Sequence, residues 1–184
     1  MTIRPYEEKD KENVRYICLN SDGPCDADED GQFFLLTTYC DYYIEKEPYN
    51  CFVLADEQDK AVGYILCAED FDPFWETFLR EFKPRLAHDP VSMEYADEST
   101  ELHRQLKNEY PAHLHIDLLP EAQGKGYGPK LMETLFAHLR KKNCRGIMWC
   151  VWKHNHGAQR FYDRQGFERI CDNGSNIAYG TKKI

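Results

Sequence analysis

The 184-residue chain has eight cysteines but no C-x-x-C pair, and it has no apolar run of transmembrane length. The first absence removes the usual metal-knuckle and dithiol spacings, leaving the thiols to be read as reduced core residues. The second, with no secretory leader at Met1, gives the expectation of a cytoplasmic protein that does not engage a membrane. A basic surplus is lacking too: acidic residues outnumber basic ones 32 to 23, and the pI lies near 5.3. Such a chain is not built to hold nucleic-acid phosphates, whereas a cationic substrate suits it and ordinary solubility accounts for the excess as well. Neither G-x-x-x-x-G-K-S/T nor G-x-G-x-x-G occurs, so mononucleotide P-loops and Rossmann turns are excluded. No break in composition divides the chain, and residues 1–184 are expected to form one domain.

What is present centres on residues 114–128, LHIDLLPEAQGKGYG. Leu114, Ile116 and Leu118 alternate with His115 and Asp117, the period of a strand with one apolar and one polar face. After Pro120 comes a glycine-rich loop, and from Pro129 the apolar positions Leu131, Leu135 and Leu139 recur at helical spacing. Glycines let backbone approach a ligand closely, and the first-turn amides of a helix are unpaired at its positive end. The strand, loop and helix together predict an anion site.

Elsewhere, Thr2–Arg4 reads as a short strand, and Val14, Ile17 and Cys18 share one face of a helix. The acidic turn SDGPCDADEDG precedes a second helix through Phe33, Leu36, Cys40 and Ile44; its DADED run is a solvated loop or an attraction for an amine. Residues 51–55 and 61–68 predict a hairpin, 147–152 a strand, and 167–171 with 177–181 a second hairpin. Between the first hairpin and the central strand, Phe74, Phe78, Leu79 and Phe82 predict one helix and residues 98–109 another. His113, His115 and Asp117 fall on one face of the central strand, a spacing that admits a metal.

The loop reads Q-x-x-G-x-G from Gln123 to Gly128, and residues 155–167 read N-x-x-A-x-x-F-Y-x-x-x-G-F through Asn155, Ala158, Phe161, Tyr162, Gly166 and Phe167. In these two motifs the chain resembles the GCN5-related N-acetyltransferases (GNAT). The resemblance implies an α/β fold with a mixed, mostly antiparallel sheet of about seven strands and about four flanking helices. Two of its strands, 113–119 and 147–152, splay to admit the pantetheine arm. Residues 69–112 are then an insertion, which covers the acceptor mouth or makes a homodimer contact.

The function implied is acetyl transfer from acetyl-CoA, as co-substrate and without a metal, to a primary amine of a small molecule or protein. Backbone of Gln123, Gly124, Lys125, Gly126, Tyr127 and Gly128 would hold the pyrophosphate, with Lys125 adding charge. Asn155 would cap its helix and touch pantetheine, and a backbone N–H at Leu118 or Leu119 would polarise the thioester. An attacking amine must first lose a proton. Asp117 is the first candidate base, with Glu69, Asp70 and His115 as alternatives, and Tyr162 is implied as the acid that meets the thiolate. Segment 113–128 is also similar to bacterial acetyltransferases related to the domain appended to some O-GlcNAc hydrolases. A different class of function, a non-catalytic acyl-CoA sensor whose insertion plugs the acceptor site, is consistent with the same motifs.

Overall fold

A computed structural model describes Met1–Ile184. Strands form where alternating or continuous apolar runs were expected: β1 (Thr2–Pro5), β2 (Phe52–Ala55), β3 (Ala61–Ala68), β4 (Ala112–Leu118), β5 (Ile147–Trp152), β6 (Glu168–Asp172) and β7 (Asn176–Thr181). They make one seven-stranded sheet in the order β1-β2-β3-β4-β5-β7-β6. Every residue of β3 is buried, because helices cover both faces of the sheet there.

All neighbouring strands are antiparallel except β4 and β5. That parallel pair meets at only two registers, Ala112 with Ile147 and His113 with Met148. Beyond His113, β4 stays paired to β3 as far as Leu118, while β5 stays paired to β7 as far as Trp152. The two strands therefore diverge, and the edge of β4 from Leu114 onward lies open toward β5. The expected V-shaped gap is present.

The helices are α1 (Lys11–Asn20), α2 (Glu29–Leu36), α3 (Tyr42–Lys46), α4 (Phe71–Thr77), α5 (Pro90–Ser99), α6 (Glu101–Leu106), α7 (Tyr127–Lys141) and α8 (His156–Arg164). The predicted second helix is continuous from α2 to α3, but Thr37–Asp41 within it is a π-helical turn. Such a turn adds a residue and shifts the side chains that follow around the axis. Here Tyr39 stacks over His115 of β4, with ring centroids 5.3 Å apart.

The insertion departs from expectation. Residues 98–109 do not form one helix: α5 ends at Ser99, α6 is a short helix, and α5 itself was not predicted. Its sequence, PVSMEYADES, has only a weak apolar stripe, with Ser92 and Ala96 as its buried residues. The start signals were nevertheless legible, since Asp89 caps it by accepting from the Val91 N–H and Pro90 occupies its first turn. No helix is long and apolar enough to cross a membrane.

The closed end of the V is packed tightly. A Cβ on Gly180, which pairs with Met148, would lie 2.7 Å from Ile170 Cδ1 and 2.9 Å from the Ile147 carbonyl oxygen. Gly180→Ala is expected to destabilise the protein by about 1–3 kcal/mol, read as a lowered midpoint in denaturant unfolding with an unchanged slope.

Candidate active site

The loop after β4 is held open by its own glycines. Gly124 and Gly126 have φ of +69° and +79°, a left-handed conformation that other residues adopt at a cost. Gly126 is the N-cap of α7 and provides no side-chain cap. The amides of Gly124, Lys125 and Gly126 are not spent on the chain's own carbonyls, so they join the first-turn amides of α7 as free donors. Gln123 behaves differently from expectation. Its N–H goes to the Pro120 carbonyl, and its side-chain amide donates to the carbonyls of Leu118 (2.8 Å) and Ser21 (2.7 Å). Gln123 shapes the loop and does not offer a backbone donor.

A cavity of about 510 Å³ lies against this loop, bordered by Gly124, Gly126, Tyr127, Gly128, Phe161 and Arg164 among others. Lys125 is exposed and does not border it. Arg164, at the end of α8, brings a cation to this cavity that the motif comparison did not single out. Gly128 is required by packing: a Cβ there would sit 3.1 Å from the ring of Phe161. Phe161 is thus the packing member of the Phe161–Tyr162 pair.

The open edge of β4 supplies one more donor. Leu119 donates its N–H to the Val62 carbonyl at 2.9 Å, on the β3 side. Backbone groups alternate in direction along a strand, so the N–H groups of Ile116 and Leu118 turn the other way, into the gap. Of the two candidates for polarising a carbonyl in the gap, Leu119 is therefore excluded and Leu118 retained.

A second cavity, of about 350 Å³, lies on the side of β4 that carries His113, His115 and Asp117. It meets the loop cavity where Ser21, Asp22, Ile116, Asp117, Asn155 and Tyr162 border both. At this junction the Tyr64 hydroxyl donates to Asp117 Oδ2 at 2.7 Å and lies 3.0 Å from His115 Nδ1. With its only proton directed at the carboxylate, the Tyr64 oxygen accepts from the Nδ1–H of His115. Burial pushes the Asp117 carboxyl above its usual range, and His115 and the Tyr64 hydrogen bond pull it part of the way back. The result is a carboxylate poised to take a proton. Tyr64 lies within the predicted strand 61–68, and only the pairing of β3 with β4 sets it opposite Asp117.

Ligand atoms of Cys18, His115 and Asp117 lie within 4.8 Å of one another. The histidine expected beside them, His113, instead points among Phe71, Phe74 and Tyr43. Tyr162 is buried on α8, and burial together with the charge of Asp117 raises its phenol well above the usual value. It stays protonated at neutral pH. Asn155 caps α8, its Oδ1 accepting from the Ala158 N–H at 2.9 Å. Glu69 and Asp70 are not in the site. Glu69 pairs with Lys142 and accepts from Asn50, and both acids border a separate cleft. The insertion contributes Phe74, Ser99, Thr100 and His103 to the wall of the second cavity.

Residues 16–167 match the Acetyltransferase (GNAT) family. Among solved structures, one described as SsHAT is 32% identical, covering 100% of this chain and 98% of its own, with a TM-score of 0.86. PH1933 from Pyrococcus horikoshii is 18% identical over 100% of this chain and 98% of its own, with a TM-score of 0.67. A polyamine N-acetyltransferase of Drosophila melanogaster is 15% identical over 98% of this chain and 99% of its own, with a TM-score of 0.62. At those lower identities the likeness is one of fold.

The Tyr64 bridge generates a test that does not depend on turnover. Followed by carboxyl ¹³C NMR, Asp117 should titrate above the ordinary aspartate value of about 3.9. In Tyr64→Phe the midpoint should rise further, because a hydrogen bond to the ionised form is lost.

Proposed function

Because this chain belongs to the GNAT acetyltransferase family, we propose that it transfers the acetyl group of acetyl-CoA directly to a primary amine within a ternary complex. The observation that carries this reading is the meeting of the two cavities at Asp117 and Tyr162, beside the free N–H edge of β4. We assign the loop cavity to the donor and the second cavity to the acceptor, all within a single domain of residues 1–184.

The donor's pyrophosphate fits the free amides from Gly124 to Gly128, where the α7 dipole favours negative charge. Arg164 adds a cation at the other wall. Pantetheine then follows the edge of β4 past Asn155, and the Leu118 N–H donates to the thioester carbonyl. Such a donor gains strength as charge builds on that oxygen in the transition state.

An alkyl ammonium has a pKa near ~10, so at neutral pH the amine must give up a proton before or during attack. Asp117 takes it. The nitrogen lone pair forms the new N–C bond, the carbonyl π electrons move to oxygen, and their return breaks the C–S bond. Tyr162, kept protonated by burial, gives its hydroxyl proton to the departing sulfur, and the second proton that the nitrogen sheds on becoming an amide restores the phenol. His115 and Tyr64 act through Asp117, holding its carboxylate in position.

Calorimetric titration with acetyl-CoA, joined to an assay of thiol release on adding amines, tests this assignment. Binding should be lost in Gly126→Asp, which sets a carboxylate against the phosphates on a backbone that disfavours it. Asp117→Asn and Tyr162→Phe should bind donor normally but lower kcat by ~100-fold or more. In the parent protein kcat should rise with pH through an acid limb lying above the ordinary aspartate range, because only ionised Asp117 accepts the proton. Normal turnover in Asp117→Asn would remove Asp117 from the mechanism.

A further inference from the structure

We propose that the acceptor is a small aromatic monoamine whose ring carries a neutral hydroxyl or N–H group; this identification rests on the N-acetyltransferase reading above. The charges of the acceptor cavity point to a single cation. No lysine or arginine lines it, and its only carboxylates, Asp22 and Asp117, both border the donor cavity as well. One amine is thus provided for, at the end where the acetyl group arrives.

The remainder of the cavity has no carboxylate, lysine or arginine and is largely aromatic. From Asp117 to His113 is four residues of β4, roughly 13 Å, a span that holds a ring and a short alkyl arm end to end. Tyr39 lies over His115 on the way, and Phe74 stands edge-on to His113, with ring centroids 4.4 Å apart. Burial lowers the pKa of His103 to about 4 and holds His113 well below the usual histidine range, so both rings are neutral. A second ammonium at this end would be buried without a counter-ion, and so would a carboxylate. Diamines, polyamines and amino acids with a charged tail are disfavoured for this reason.

The far end nevertheless calls for a polar group. His113 lines the cavity there and is 3% exposed, yet neither of its ring nitrogens has a hydrogen-bond partner in the chain. Buried polar groups in folded proteins almost always have one. A neutral imidazole donates at one nitrogen and accepts at the other, which matches a hydroxyl or a heteroaromatic N–H. An apolar ring alone would leave both nitrogens unpaired.

Tyramine, phenethylamine and putrescine separate these features. With acetyl-CoA, kcat/KM for tyramine should exceed that for phenethylamine by about tenfold or more, and that for putrescine by about a hundredfold or more. His113→Phe should bring tyramine and phenethylamine to within about threefold while leaving coenzyme A affinity, measured by calorimetry, unchanged. His103→Glu, which adds a carboxylate at the far end, should raise putrescine relative to tyramine by about tenfold. Putrescine equalling tyramine in the parent protein, or an unchanged tyramine preference in a His113→Phe variant that still binds coenzyme A, overturns the proposal while acetyl transfer stands. Binding of each amine to the coenzyme A-loaded protein supplies the converse. Tyramine bound more tightly than putrescine, with no acetylation of either, supports the pocket assignment and overturns the transferase reading.

Discussion

Everything in the site depends on where the β4–β5 pairing stops. Two parallel registers hold the strands together at Ala112 and His113, and from there each strand is satisfied by its other neighbour, β3 or β7. A buried strand edge normally has to be paired or covered. Here the opening lets backbone donors of β4 face a ligand without any loss of sheet on the outer sides. Gly180 at the closed end and the tether from Gln123 to Leu118 at the open end fix both limits of the gap.

The sheet also separates two kinds of chemistry. On one side, glycine backbone and a helix terminus present fixed dipoles, which need no proton exchange and suit phosphates. On the other, β4 presents His113, His115 and Asp117 to a wall of rings, where burial controls protonation. Only Asp117, Tyr162 and a few neighbours reach both. The two groups proposed to move protons, Asp117 and Tyr162, sit at the point where the compartments join.

The strands were legible because alternation and turn residues act locally, and the glycine loop because its spacing itself sets a backbone that leaves its amides unpaired. Tyr162, Asn155 and Asp117 fell at the junction for the same reason: each sits at a defined step from a glycine or a strand end. What escaped was set by contacts between distant residues. Tyr64 reads as one more apolar strand residue until β3 pairs with β4, and Leu119 looks equivalent to Leu118 until Val62 takes its N–H. The π-helical turn at Thr37–Asp41 has no local signature, yet Tyr39 within it stacks over His115. Glu69 and Asp70 lie close in sequence to the end of β3 but face a different cleft.

The two cavities draw on different stretches of chain. The loop cavity is drawn largely from residues 116–129 and 155–165, which carry the recurring motifs, whereas the second takes much of its wall from residues 18–43 and from the 69–112 segment, which carry none. Drift in the latter stretches can therefore alter what is modified while the modifying group stays the same. Relatives that share the whole glycine-loop signature with this protein are free to have inherited different substrates, and a shared signature is evidence of common chemistry but not of common diet.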